Sequence, residues 1–356
     1  MRRLNPQASG AVLWDMQIAK CWTALLLLAA TCLIPAFFWP APPAALAQAV
    51  QTDYRRAADY AAAYGGVGLL VIRGERIVYE QFAPGRSADT PHLLASGTKS
   101  FAGVMAAAAV QDGLLTFDER VSETITEWKS DPLKAQITVR HLLSLASGLG
   151  KAGRGGNPVS FAQAVQAPAV SPPGRAFDYN PVNFQLFGEL MRRKLAPRRE
   201  EPLAYLSRRV LEPIGMRIAR WRTTTDGDPD LPGGAIATAR DWAKFGLLLK
   251  NGGTWQGRQI VSREALAQCF VRSATNPAYG LTFWLNAPSR SARPERNNPV
   301  GGAGPPDLIM AAGAGGQRLY VIPSLDLVVV RQGDLRSARG RGSGRFRDDE
   351  FIRALL

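Results

Sequence analysis

Histidine occurs twice and cysteine three times in 356 residues, and each shortage closes off chemistry. With only His92 and His141, a histidine-rich metal centre cannot be assembled, and Cys21, Cys32 and Cys269 lack the close pairing that zinc sites use. No metal and no organic cofactor is expected. A serine–histidine–aspartate triad would have to use one of the two histidines. His141 lies inside an apolar helical pattern, where it reads as a polar helix position; His92 lies just ahead of a serine-bearing helix start with no defined geometry.

Long hydrophobic runs are also scarce. The run over residues 22–39 follows Lys20, and Ala45-Leu46-Ala47 then offers a small-residue cleavage site before Gln48. Residues 1–47 therefore read as a signal peptide, with Met16 as an alternative start that leaves a short basic leader. An uncleaved membrane anchor is the competing reading, since the run is close to the minimum that spans a bilayer; Pro35 and the alanine-rich site favour removal. The expected location is periplasmic or secreted or, if anchored, on the periplasmic side of the inner membrane, with transient membrane association through this segment. After cleavage only Cys269 remains, so the mature chain makes no internal disulfide.

Acidic residues are in deficit, at 29 against 43 Lys and Arg, for a net charge of +14. That balance suits an anionic partner, but the arginines are scattered and no basic helix interleaves with aromatics. The basic cluster at 336–347 is rich in Gly and Ser and reads as a flexible loop. Nucleic acid is not an expected partner. A hydrophobic share of 46% is enough to build a large core.

What the chain does carry is Leu94-Ala95-Ser96-Gly97-Thr98-Lys99-Ser100-Phe101, read as the start of an apolar helix that runs to Gln111 and stops at Asp112-Gly113. Residues three apart share a helix face, so the Lys99 amine can reach the Ser96 hydroxyl. A lysine desolvated by an alanine-rich wall loses proton affinity and can activate a serine. The same spacing arises by chance about 0.4 times in a chain of this composition.

Around this helix the pattern is mixed. A helix capped by Thr52-Asp53 and closed by Gly65-Gly66 leads into β-rich runs at 67–72 and 76–82, joined as a hairpin. Helical segments follow near 139–146, 160–166, 182–195, 201–213 and 238–250, the last with a capping box between Thr238 and Asp241. Sheet character returns at 280–285, 318–323 and 327–330. Strands at both ends with helices between them predict an α+β fold: one antiparallel sheet built from both termini and flanked by helices, with an inserted all-helical domain. The sheet part is expected at about 54–105 and 255–356, and the helical part at about 106–254.

Three further stretches complete a resemblance. Residues 136–149, 177–189 and 232–242, taken with the Ser96-x-x-Lys99 spacing, resemble in order the motifs of serine β-lactamase-like and penicillin-binding-protein-like hydrolases of the class C type. The resemblance covers about residues 54 to 335. It implies a β-lactamase/transpeptidase-like fold, a cleft site, and an acyl-enzyme on Ser96 with Lys99 and Tyr179 sharing the proton work. It also implies an oxyanion hole from the Ser96 N–H and a late-strand N–H near Gln317, with Tyr179 approaching phenolate beside an ammonium.

Two departures shape the expected substrate. Pro181 stands where the family usually has Asn, so Asn180 or Asn183 would have to take over substrate binding. The family's Lys-Thr-Gly or His-x-Gly strand motif is replaced by Ala311-Ala312-Gly313-Ala314-Gly315-Gly316-Gln317, with Arg318 as the candidate substitute cation. This Gly-rich pattern resembles the branch of 6-aminohexanoate-dimer hydrolases and related esterases, with Gly315, Gly316 and Gln317 at the site. The expected activity is hydrolysis of a small ester, amide or peptide-like substrate. A β-lactamase or D,D-carboxypeptidase, and a catalytically silent peptidoglycan-binding envelope protein, are the alternatives.

Overall fold

The computed structural model describes residues 45–152, 158–289, 297–335 and 346–356, with side chains from Tyr54 onward. Most of the leader expected over residues 1–47 and most of the basic cluster at 336–347 lie outside the described residues. No described helix is long and apolar enough to cross a membrane.

In chain order the elements are α1 (Ala45–Ala63), β1 (Gly66–Arg73), β2 (Arg76–Phe82), β3 (His92–Leu93), α2 (Lys99–Gln111), α3 (Val139–Leu143), α4 (Phe161–Val165), α5 (Val182–Leu195) and α6 (Pro202–Leu206). They continue with β4 (Arg220–Trp221), β5 (Ala235–Ala237), α7 (Ala239–Lys250), β6 (Thr254–Trp255), β7 (Arg258–Gln259), α8 (Arg263–Gln268), β8 (Trp284–Leu285), β9 (Ile309–Gly313), β10 (Gln317–Ile322), β11 (Leu327–Gly333) and α9 (Asp348–Leu355).

The main sheet is antiparallel, in the order β2-β1-β11-β10-β9-β8, so N-terminal and C-terminal strands do share one sheet. Leu69, Leu70, Val71 and Ile72 are buried in succession on β1, and all seven residues of β11 are buried. Continuous burial instead of alternation means that both faces of these strands are covered. Neighbouring side chains on a strand point to opposite faces: Tyr320 stacks on Phe351 of α9, while Leu319 meets Gly246 of α7. The covering helices are therefore α9, with α1 beside it, on one face and α7 on the other. Helix α7, counted in the helical part from the sequence, belongs structurally to the sheet layers.

Helix α1 starts at Ala45, earlier than the Thr52-Asp53 cap expected. Tyr54, Ala57, Ala58 and Ala61 bury one face at helical spacing, and Gly65 ends the helix at φ +73°. Helix α2 is buried on every side from Lys99 to Ala109. It thus needs no polar stripe, and its end at Asp112 with Gly113 at φ +68° is the one expected. Helices α3, α4 and α5 fall where the apolar spacing placed them. The segment at 201–213 instead breaks into α6, a π turn and a 3₁₀ turn. A small sheet, β3-β5-β4, ties the strand before Ser96 to the strand after Gly234 through pairs such as Leu93 with Ile236.

Candidate active site

The strand β3 delivers the chain to Leu94, which is fully buried, and Ala95 then takes a left-handed turn at φ +47°. Residues Ala95–Thr98 form a 3₁₀ turn that feeds α2. Side chains three apart eclipse one another in a 3₁₀ turn, which places Lys99 directly over Ser96 more tightly than the α-helical start expected from sequence. Gly97 is required here, since a Cβ would lie 2.7 Å from the Trp242 ring of α7. Ala235 of β5 donates its N–H to Thr98 Oγ1 at 3.2 Å and so locks the turn to the small sheet.

Lys99 is 4% exposed. Its Nζ lies 2.8 Å from Ser96 Oγ and donates to the Pro232 carbonyl at 2.8 Å. Burial pulls its pKa from 10.5 down to about 7, with the negative charge of Asp230 opposing the fall. The ring faces of Tyr179 and Phe184, 5.1 and 5.4 Å from Nζ, also favour the cation. Near neutral pH the amine is thus poised to accept a proton.

Tyr179 bonds Ser96 through its hydroxyl. Its ring stacks on Trp284 at 5.7 Å with planes 19° apart, and Tyr279 meets Trp284 edge-on at 4.9 Å. Burial raises the Tyr179 pKa above the ordinary phenol, outweighing the Ser96 bond and the charge of Arg318, which lower it. Tyr179 is therefore held as the neutral phenol, where the sequence reading expected phenolate character. The Lys99 amine, the Ser96 hydroxyl and the Tyr179 phenol accordingly form one hydrogen-bonded chain.

Ser96, Lys99, Tyr179 and Asn180 line a cavity of about 560 Å³ together with Asp230 and Gly233. Asn180 is committed internally: its amide donates to the carbonyls of Leu149 and Gly150 at 2.8 and 3.0 Å, and its Oδ1 accepts the Val182 N–H. That Asx turn sets Pro181 at the start of α5, where the missing N–H costs nothing. Asn183, 2% exposed, donates to the Asn180 carbonyl at 3.0 Å, and its Oδ1 has no partner among the described residues. It supports Asn180 and does not line the cavity.

Gly315 and Gly316, at φ +76° and +74°, make the turn between β9 and β10. Neither lines the cavity. Gly316 lies against the buried Arg331 guanidinium, which donates to its carbonyl at 2.8 Å. Gln317 is fully buried and clamps Gly333, donating at 2.6 Å and accepting at 3.1 Å. The residue of this turn that approaches the Ser96 turn is Gly313: a Cβ there would lie 2.1 Å from the Leu94 carbonyl and 3.1 Å from the Gly97 nitrogen. Ala314, next in the chain, is exposed.

Arg318 is not available as a substrate-binding cation. It holds Asp348 of α9 through two bonds, and its remaining nitrogen donates to the Gly313 and Gln317 carbonyls, each at 2.9 Å. His92 is also spoken for: Nε2 meets the Gly333 carbonyl at 2.9 Å and Nδ1 faces Arg86 at 3.2 Å. An arginine can only donate, so Nδ1 accepts and the proton sits on Nε2, in a ring whose pKa burial lowers. His141 closes a capping box with Thr138 at the start of α3. Cys269 is buried, with its thiol pushed up to about 12.

Two participants escaped the sequence reading. Asp230, 5% exposed, precedes the Pro232-Gly233 turn by two residues; that proximity was the available signal. Trp284, the platform under Tyr179, lies in a run whose apolarity marked only a strand.

Comparison with known proteins gives a consistent picture. The family model described as Beta-lactamase matches residues 48–337. An uncharacterized protein of Alkalihalophilus pseudofirmus is 23% identical over 297 residues, covering 75% of this chain and 83% of its own. Among solved structures, EstCE1, a hydrolase with promiscuous acyltransferase activity, superposes with a TM-score of 0.65 at 15% identity, covering 88% of this chain and all of its own. A family VIII carboxylesterase gives 0.62 at 19%, covering 85% and 96%. A Bacillus anthracis protein provisionally named a 6-aminohexanoate-dimer hydrolase gives 0.66 at 17%, covering 83% and 79%.

Proposed function

Because the chain belongs to the Beta-lactamase family, whose members are typically serine hydrolases, we propose that it cleaves an ester or amide through an acyl-enzyme on Ser96. The observation that carries this reading is the 2.8 Å approach of Ser96 Oγ to a lysine amine whose pKa is about 7. Lys99 takes the Ser96 proton as Oγ attacks the substrate carbonyl, and the Tyr179 phenol hands a proton to the departing alcohol or amine. Lys99 then resupplies Tyr179. A water molecule attacks the acyl-enzyme by the same route in reverse, and the acid leaves.

The developing oxyanion falls to the Ser96 N–H and to the Ala314 N–H, which follows the close approach of Gly313 to the Ser96 turn. This shifts the late-strand donor from the neighbourhood of Gln317, whose residue is buried away from the cavity. Asn180 acts by fixing the start of α5 and the 149–150 segment, not by touching substrate. The commitment of Arg318 to Asp348 favours a substrate without a carboxylate, and so an ester or amide over a β-lactam or a D-alanyl peptide. Export to the periplasm, on the pattern around Lys20 and Ala45-Leu46-Ala47, belongs to the same proposal.

The test is turnover of p-nitrophenyl esters by the wild-type protein and by Ser96→Ala. We expect measurable turnover that falls at least about 10³-fold in the variant. Full activity in Ser96→Ala would remove the proposal.

A further inference from the structure

The cavity beside Ser96 contains a buried carboxylate that the reaction does not use. Resting on the hydrolase reading above and deepening it, we propose that Asp230 forms a subsite for a cationic nitrogen, so that the preferred ester or amide carries an amine in its acyl or leaving group.

Asp230 is 5% exposed and lines the same cavity as Ser96 and Lys99. Its carboxyl oxygens lie 3.5 and 3.8 Å from the point where a Cβ on Gly233 would stand, and that point is 4.0 Å from the Ala95 carbonyl carbon. The missing side chain at Gly233 leaves the carboxylate open toward the nucleophile turn. Nearby Asp228, by contrast, is paired by Arg192 at 3.2 Å and accepts the Phe161 N–H. The Gly233 N–H donates to the Asp230 carboxylate, and Arg222 and Lys99 act on it only through space; burial outweighs all three and raises its pKa.

A carboxylate taken out of water is costly unless a charge or hydrogen-bond donors compensate it. In the resting site Lys99 can supply part of that charge, but attack by Ser96 requires Lys99 to be neutral. A substrate ammonium beside Asp230 compensates the carboxylate at that moment, and by repelling the Lys99 proton it also favours the basic amine. Of the other charges lining the cavity, Asp178 adds negative potential and Lys151 opposes a cation, but both side chains are exposed, so solvent screens them more than the buried Asp230. The strand that would hold an anionic substrate group offers none of its charge, since Arg318 is held by Asp348.

The experiment compares isosteric substrate pairs that differ in charge. Phenyl 4-(aminomethyl)benzoate against phenyl 4-ethylbenzoate places the cation in the acyl group. Acetylcholine against 3,3-dimethylbutyl acetate places it in the leaving group. In at least one pair the wild-type protein is expected to favour the cation by about tenfold or more in kcat/KM, a difference of about 1.4 kcal/mol. In Asp230→Asn that ratio should fall toward one, whatever happens to the absolute rate. Asp178→Asn should retain a ratio well above one. Wild-type ratios at or below one in both pairs, or a ratio that survives in Asp230→Asn, would overturn the inference alone. No turnover of any ester would remove the hydrolase reading and this inference with it.

Discussion

Replacing Lys99 by methionine should abolish turnover and, near neutral pH, make the protein more stable. The ordinary amine pKa of 10.5 falls to about 7 in the folded state because the side chain is buried. At about 1.4 kcal/mol per pH unit, that difference is about 5 kcal/mol, of which about 4 kcal/mol is still felt at pH 7, where the folded amine is half charged. Methionine loses the bond to Ser96 and leaves the Pro232 carbonyl without its donor, which costs about 1–3 kcal/mol. The net gain at pH 7 is thus about 2 kcal/mol.

The sign with pH follows from proton counting. Between about pH 7 and 10.5 the unfolded lysine holds a proton that the folded one has released, so wild-type stability rises with pH across this window. The methionine variant lacks the group, and its advantage should shrink by about 1.4 kcal/mol per unit and reverse by about pH 9. Urea unfolding of both proteins at pH 7, 8 and 9 reads this directly. Wild-type kcat/KM for phenyl acetate should climb about tenfold per unit below pH 7 and level off above it. A variant that is less stable at pH 7, or a stability gap that does not change with pH, would refute the reasoning.

Tyr179→Phe keeps the ring on Trp284 and removes only the hydroxyl, so kcat should fall about 10²–10⁴-fold while urea unfolding moves by less than about 1 kcal/mol. Gly313→Ala forces a Cβ to 2.1 Å from the Leu94 carbonyl; turnover should be lost and stability should drop by about 1–3 kcal/mol or more in the same unfolding measurement. Arg331→Met strips the donors from the carbonyls of Ala61, Tyr64 and Gly316 at once. A loss of about 3 kcal/mol or more is expected by thermal unfolding. Tyr279→Phe deletes a buried hydroxyl that has no partner among the described residues, and its melting temperature should hold or rise.

Much of the frame was legible before the structure. The hairpin around Gly74, the capped helix from Thr238 and the apolar helix ending at Gly113 follow from local chemistry, and each appears where the residues put it. The Thr238 cap forms as read, although Asp241 receives the Thr238 hydroxyl in place of the reciprocal backbone bond of a full capping box. The order of motifs carried the family and the fold. What sequence could not carry was orientation. Asn180, Asn183 and Gln317 are polar residues beside a site, and nothing in a one-dimensional pattern tells a side chain turned into a cavity from one spent on a neighbouring carbonyl. Arg318 was the reasonable substitute cation until Asp348, thirty residues away, proved to hold it. The direction of the Tyr179 pKa was missed for a related reason, because the aromatic box of Trp284 and Tyr279 that buries it is assembled only by tertiary packing. Asp230 went unnoticed because its neighbours in space, not in sequence, make it unusual.

The account stands on Ser96 as the nucleophile, and active-site trapping tests it most directly. Purified protein is treated with a fluorophosphonate at pH 6 and pH 8, and intact mass, peptide mapping and residual turnover are followed together. A single adduct on Ser96, formed several-fold faster at pH 8 and in step with loss of activity, is the predicted result. An adduct on another residue, or full turnover by a protein labelled on Ser96, would contradict it.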